Sequence, residues 1–221
     1  MYRTLEQWIE AYRNKGALWI HNGKKQAHAL LRSGLHSSGF FNSRLVIADE
    51  EMLQEAASDL VEKYIGTGRS IFDVQVVVGP KTGATKLAEL IAKEISEITG
   101  VTCCWASPEK VEVNGQVTAM SFSAEEKAIV NGRAVLMCED VLTTGGSVER
   151  TVKAVEAEGG KVLPFTLVLV NRSGLATVGE KKIIGLIDRA MPMWEPADCP
   201  LCKQDSKAIP PKDNWAELNA E

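Results

Sequence analysis

An α/β domain built on a parallel sheet is the fold class that this sequence predicts, and three observations carry the prediction. Short apolar runs rich in valine alternate with amphipathic helical segments from residue 49 onward, which is the pattern of strands buried on both faces by crossover helices. Glycine and proline pairs close these segments, as at Gly79-Pro80 and Gly159-Gly160. The chain has 221 residues, 45% apolar and 24% charged, enough for one domain to bury roughly 70% of its unfolded surface without disulfide or metal staples.

The elements follow in order. Leu5, Trp8, Ile9 and Tyr12 recur at offsets of 3, 4 and 7, one face of a helix over 4–14 that stops at Gly16. Residues 27–47 are short, mixed and punctuated by Gly34 and Gly39, which predicts irregular strands forming a small lid or hood. A helix is expected over 49–64 and a buried strand over 74–78. A helix over 84–97 and a strand over 101–105 come next. Residues 107–131 form a polar stretch longer than an ordinary connection, in which Val111, Val113, Val117 and Ala119 alternate as in a hairpin. A strand over 134–138, a helix over 147–158 and a strand over 162–170 complete the pattern. Three segments are therefore expected: an N-terminal helix and hood over 1–48, a core over 49–190 and a C-terminal tail over 191–221.

Composition excludes several classes. No apolar run approaches the 18 to 20 residues of a membrane-spanning helix, and Glu6 and Glu10 interrupt the start where a signal peptide needs an apolar core. Five cysteines among 221 residues suit free thiols or metal ligands in a reducing compartment, so a cytoplasmic location is expected. A net charge of −4 without a basic block gives no footprint for nucleic acid.

In a parallel α/β sheet, ligand chemistry lies at the carboxyl ends of the strands. The segment Val135-Leu136-Met137-Cys138-Glu139-Asp140-Val141-Leu142-Thr143-Thr144-Gly145-Gly146-Ser147 delivers two acids on an apolar strand and then turns through hydroxyls and glycines into a helix. The glycines let backbone N–H groups approach an anion, the hydroxyls add donors, and the helix turns its positive end toward the same spot. That describes a phosphate cradle. The acids at its rim suit sugar hydroxyls or a hydrated magnesium ion.

This thirteen-residue segment resembles the phosphoribosyl pyrophosphate motif of type I phosphoribosyltransferases. With Leu31-Arg32-Ser33-Gly34, Gly39-Phe40-Phe41-Asn42, Val78-Gly79-Pro80-Lys81-Thr82-Gly83-Ala84 and Asn171-Arg172, the sequence is similar in order and spacing to the orotate-using branch of that family. The resemblance implies the type I fold with a hood and a magnesium-dependent enzyme. It would transfer phosphoribose from phosphoribosyl pyrophosphate to a nucleobase, with orotate favoured. A purine or another base, or a non-catalytic sensor of the donor, are the competing readings. It also implies roles: Thr143, Thr144, Gly145, Gly146 and Ser147 on the 5′-phosphate, Glu139 and Asp140 near the ribose, and Lys81, Thr82 and Gly83 on the pyrophosphate through an unusual peptide geometry, often a cis bond.

For the base, the resemblance assigns Phe40 and Phe41 to an aromatic wall, Arg32 to a position that is commonly lysine, and Arg172 to the substrate carboxylate. The resemblance breaks in the long loop. There the family carries an Arg-Lys pair and a Lys-x-His unit that close over the neighbouring subunit's site, whereas Ala106-Ser107-Pro108-Glu109-Lys110-Val111-Glu112-Val113-Asn114-Gly115 keeps one cation, Lys110, and no histidine. Lys110 is the expected catalytic cation beside Glu139 and Asp140, and a homodimer is the expected assembly. Cys199-Pro200-Leu201-Cys202 has the spacing of half a structural zinc site, with Cys103-Cys104 or another subunit's tail as the source of the remaining ligands; a free thiol pair is the alternative. Cys138 reads as core, and His36 as a solvated or substrate-facing hood residue.

Overall fold

The structure is a computed structural model that describes residues 2–23 and 26–219. Residues 1, 24, 25, 220 and 221, among them the outer ends of the expected first and third segments, lie outside the described residues. Helix α1 (Leu5–Asn14) starts at a capping box, in which the Thr4 side chain accepts from Gln7 N and the Gln7 side chain accepts from Thr4 N. It does not belong to the hood: Trp8 and Tyr12 are fully buried in the main core, and Trp8 Nε1 donates to Asp59 Oδ2 at 2.8 Å.

The hood follows. Strand β1 (Leu18–Ile20), β2 (His28–Leu30), β3 (His36–Ser37) and β4 (Gly39–Phe41) are short, as expected, with β1 pairing β4 antiparallel. Helix α2 (Ser43–Ile47) closes the segment where strands were expected. Helix α3 (Glu50–Ile65) begins at Asp49, whose carboxylate accepts from Met52 N at 3.1 Å.

The core sheet is built from β5 (Val76–Val78), helix α4 (Thr85–Thr99) and β6 (Cys104–Ala106). Helix α4 runs two residues past its expected end, to a left-handed Gly100. The next strand therefore starts at Cys104, not at 101. The polar stretch holds the expected hairpin, β7 (Glu109–Val113) with β8 (Gln116–Ser121), and an unexpected helix α5 (Ala124–Val130) with its own Ser123–Glu126 capping box. Strand β9 (Ala134–Leu142), helix α6 (Gly146–Ala157) and β10 (Lys161–Asn171) follow. The strand β11 (Thr177–Val178) and the long β12 (Lys181–Asp188) were not expected.

These strands form a six-stranded sheet in the order β11-β12-β10-β9-β5-β6, parallel except for β11. Buried residues pack against both faces: Val77, Leu136, Leu167 and Leu169 with α1, α3 and α4 on one, Val76, Val135, Met137 and Val168 with α5 and α6 on the other. Pro164, which has no N–H to give, sits where the β10–β9 register shifts between Val162 and Thr166.

The tail returns to the hood. Strands β13 (Met193–Trp194) and β14 (Ala208–Ile209) flank the hood strands in a second sheet of order β13-β3-β2-β14, and helix α7 (Trp215–Leu218) follows. Under this sheet lies a small separate core of Trp19, Ala29, Leu31, Ile209 and Leu218. No described helix is long and apolar enough to cross a membrane.

Candidate active site

The carboxyl ends of β5, β9 and β10 and the hood converge on one region. Strand β9 carries Glu139 and Asp140 to it, and because successive strand residues face opposite ways, the two acids have different surroundings. Glu139 is buried and its Oε1 accepts from Asp140 N at 3.1 Å. Burial first, and then the neighbouring Asp140 carboxylate, push Glu139 well above the usual carboxylate range, while the Lys110 ammonium acts in the opposite direction. Hairpin residue Lys110 thus lies within electrostatic reach of the acids.

Asp140 faces the loop after β5. A methyl group at Gly83 would come within 2.6 Å of Asp140 Cγ, so a side chain there would have to push the carboxylate aside. The Lys81–Thr82 peptide is cis. Lys81 Nζ donates to Glu109 Oε1 at 2.9 Å, and Lys81 N to Pro108 O at 3.0 Å, which ties this loop to the base of the hairpin of the same chain. Ser107 Oγ donates to Gly79 O at 2.7 Å and holds the two loops together from below. Cys138 is buried, with its Sγ 2.7 Å from where a Cβ on Gly79 would lie, in keeping with its expected core role.

Past the acids, Thr143 and Thr144 lead into Gly145, whose φ of 83° opens α6. No side chain caps the first amides of α6, so its positive end is open to an anion.

Arg172 follows the end of β10 and is 1% exposed. Its guanidinium donates from Nη2 to Ser37 Oγ at 2.7 Å, its Nε has no partner, and no carboxylate among the described residues pairs with it. Burial pushes it down to about 10, which leaves it cationic at neutral pH. An unpaired buried cation is unfavourable by itself and is suited to an incoming anion.

The expected aromatic pair is corrected. Phe41 is 1% exposed and packs edge-on against Tyr12 in the main core, ring centroids 5.6 Å apart, while Phe40 turns to the other side and meets Trp215 of the tail at 6.0 Å. Alternation along β4 prevents both rings from lining one base. Arg32 is exposed at the hood edge. His36 is neither solvated nor turned to this region; it is buried against His28. Cys103 and Cys104 are not beside Cys199 and Cys202: Cys104 opens β6, where its Sγ accepts from Arg133 at 3.5 Å, and burial pushes the thiol of Cys103, just before the strand, up to about 12.

Two cations were missed from the sequence. Lys212 of the tail is an exposed residue whose ammonium lies in packed surroundings: burial lowers it, Asp140 raises it, and Arg44, Arg32 and Lys110 lower it. Arg44 of α2, Arg32 and Lys110 therefore lie within electrostatic reach of Lys212, as does Asp140. Nothing local in the sequence marks either Arg44 or Lys212.

The model of the phosphoribosyl transferase domain matches residues 47–188. A protein of Pelotomaculum thermopropionicum named orotate phosphoribosyltransferase is 31% identical over 94% of this chain and 97% of its own length, and one of Desulforamulus reducens with the same name is 28% identical over 93% and 95%. Among solved structures, orotate phosphoribosyltransferase from Aeropyrum pernix aligns with a TM-score of 0.57 at 21% identity over 80% of this chain and 91% of that one. Adenine phosphoribosyltransferase from Saccharomyces cerevisiae aligns at 0.55 and 14% identity over 82% and 99%. A parallel sheet with acids and an open helix terminus after β9, matched over the whole core by this domain, makes the chain a member of the phosphoribosyltransferase family.

Proposed function

We propose that the protein transfers the 5-phosphoribosyl group from phosphoribosyl pyrophosphate to orotate, forming orotidine 5′-phosphate and releasing pyrophosphate. Arg172 carries the choice of base: a buried guanidinium without a carboxylate, reached from the hood through Ser37, suits a flat anionic acceptor better than a neutral purine. In this reading Thr143, Thr144, Gly145, Gly146 and Ser147 hold the 5′-phosphate, Asp140 accepts from the ribose hydroxyls, and Lys81, Thr82 and Gly83 take the pyrophosphate. The base nitrogen forms its bond to the anomeric carbon as the bond to the pyrophosphate oxygen breaks. Positioning and neutralisation of the departing charge are the chain's contribution. Arg44 and Lys212 add cations to Lys110, the one that the hairpin supplies, and this supports turnover over a sensor.

The carboxylate of Asp140 fits magnesium, which takes one or two carboxylates together with substrate phosphates, whereas Glu139, buried and raised above the carboxylate range, suits it less. When bound it would neutralise pyrophosphate oxygens. We further propose a homodimer, supported by Phe72 and Val101, 67% and 65% exposed and lining one concavity beside the edge strand β6; light scattering giving a monomer at micromolar concentration would exclude it. Five free thiols fit a reducing cytoplasm. The deciding test is product formation from phosphoribosyl pyrophosphate and magnesium with orotate, uracil, adenine, guanine, hypoxanthine or xanthine. Orotate alone should react; turnover of a purine instead would overturn the choice of base and leave the donor assignment standing.

A further inference from the structure

We propose that His28, His36, Cys199 and Cys202 form a structural zinc site that fastens the C-terminal tail to the hood. The four residues come from three separate places: His28 from β2, His36 from β3, and both cysteines from the tight turn that precedes β14. Their ligand atoms all lie within 4.8 Å of one another, and three of the four residues are buried. His28 Nε2 lies 3.0 Å from His36 Nδ1, 3.5 Å from Cys199 Sγ and 3.6 Å from Cys202 Sγ, and Cys202 Sγ lies 3.2 Å from His36 Nδ1. A tetrahedral zinc with ordinary bond lengths separates two nitrogens by about 3.4 Å, nitrogen and sulfur by about 3.6 Å and two sulfurs by about 3.8 Å. The four separations given lie within about 0.4 Å of these values, and the other two are no longer than 4.8 Å.

The surroundings assign the proton on His28. Ser206 Oγ donates to Gln26 O at 2.5 Å, so its oxygen receives the Nδ1–H of His28 at 2.8 Å. The lone pair of Nε2 is then bare and faces three other ligand atoms, more than one hydrogen bond can serve. A histidine oriented through its second nitrogen is the usual support of a zinc ligand. Two sulfurs and two nitrogens as the donor set select zinc over magnesium or calcium, which take oxygen. Binding displaces one proton from each thiol, giving a neutral centre of Zn2+, two thiolates and two neutral imidazoles.

The hood has a reason to need it. Its own core consists of five buried residues, Trp19, Ala29, Leu31, Ile209 and Leu218, with a few partly buried neighbours, too few to hold a four-stranded sheet of two- and three-residue strands without a staple. The metal would lie where β2 and β3 meet the returning tail, and so would fix the segment that carries Lys212 toward Asp140.

The full-length protein, reduced, stripped of metal and titrated with Zn2+ or Co2+ alone, tests this. We expect one metal per chain, about two protons released per metal, and a tetrahedral cobalt spectrum with thiolate-to-metal absorption. Ser206→Ala should weaken zinc binding about 10- to 100-fold without altering circular dichroism. Cys202→Ser should abolish binding, Cys104→Ser should leave it unchanged, and chelation should lower the melting temperature. If Cys202→Ser does not fold, the wild-type cobalt spectrum and Ser206→Ala decide. The proposal is overturned if the folded, stripped wild type takes up no metal, if Cys104→Ser loses the metal, or if Ser206→Ala binds as tightly as wild type. A Cys199–Cys202 disulfide that persists with reductant and equimolar zinc overturns it as well. Because metal uptake is read independently of transfer, its failure and that of the proposed reaction are separable.

Discussion

Replacing Arg172 by alanine removes the one feature that selects an anionic base. The guanidinium donates to Ser37 Oγ at 2.7 Å and has a free Nε in buried surroundings, so a carboxylate bound there gains a charge-assisted pair worth roughly 1.5 to 3 kcal/mol. At 1.4 kcal/mol per factor of ten, the Michaelis constant for orotate should rise about 10- to 100-fold. That for phosphoribosyl pyrophosphate should change by less than about threefold, since its groups lie on other loops. Two opposing effects act on stability. The variant loses the packing of a wholly buried side chain, but it also loses the cost of an unpaired buried cation. A net loss of about 2 kcal/mol would lower the melting temperature by roughly 4 to 8 °C, which leaves a folded protein at assay temperature. Arg172→Lys, which keeps the charge as a point but not the fork, should fall between the two. Steady-state kinetics with each substrate varied in turn, alongside melting curves, provide the assay. An unchanged Michaelis constant for orotate in folded Arg172→Ala would refute the reasoning.

Asp140→Asn should leave the melting temperature within a few degrees of wild type and weaken binding of phosphoribosyl pyrophosphate, measured by calorimetry, at least tenfold; unchanged affinity would reduce the β9–α6 segment to a plain turn. Lys212→Ala should lower kcat/KM about fivefold, the scale of one exposed charge worth about 1 kcal/mol, with Lys212→Arg retaining most of the activity. Asp59→Ala removes the acceptor shared by Trp8 Nε1 at 2.8 Å and Arg3 N at 2.9 Å. With two bonds to a charged acceptor lost, about 2 to 4 kcal/mol of stability should go, read as a lowered denaturation midpoint at unchanged m-value.

Local signals carried far in this sequence. Asp49 marked the start of α3, the Gly159-Gly160 pair ended α6, and the acids, threonines and glycines after β9 announced an anion site because each residue type has one physical use at that spacing. The Ser123–Glu126 capping box was equally available but was hidden in a stretch read for its polarity. Strand β12 was masked by its paired lysines and Gly185, since a strand beside the sheet edge alternates less cleanly than a central one. Phe40 and Phe41 were read as a pair although a strand must split adjacent residues. What pairing over long distances creates was not legible: His28 and His36 are brought together by β2 and β3, and Cys199, Cys202 and Lys212 reach them or Asp140 only because the tail folds back.

That return has a consequence for the order in which the molecule is made. His28 Nδ1 is bonded to Ser206, 178 positions later, and β2 finds its parallel neighbour β14 equally late. At roughly 5 to 20 residues per second, the ribosome takes about 10 to 40 s to supply the partner. The central sheet needs nothing beyond β12 and can assemble while synthesis continues. The hood strands must wait, with their edges open and two imidazoles unmatched, until residues 199–209 emerge. Closure of the hood thus waits on the tail, and a chain cut short before the cysteines would carry a complete central sheet with a hood that never closes.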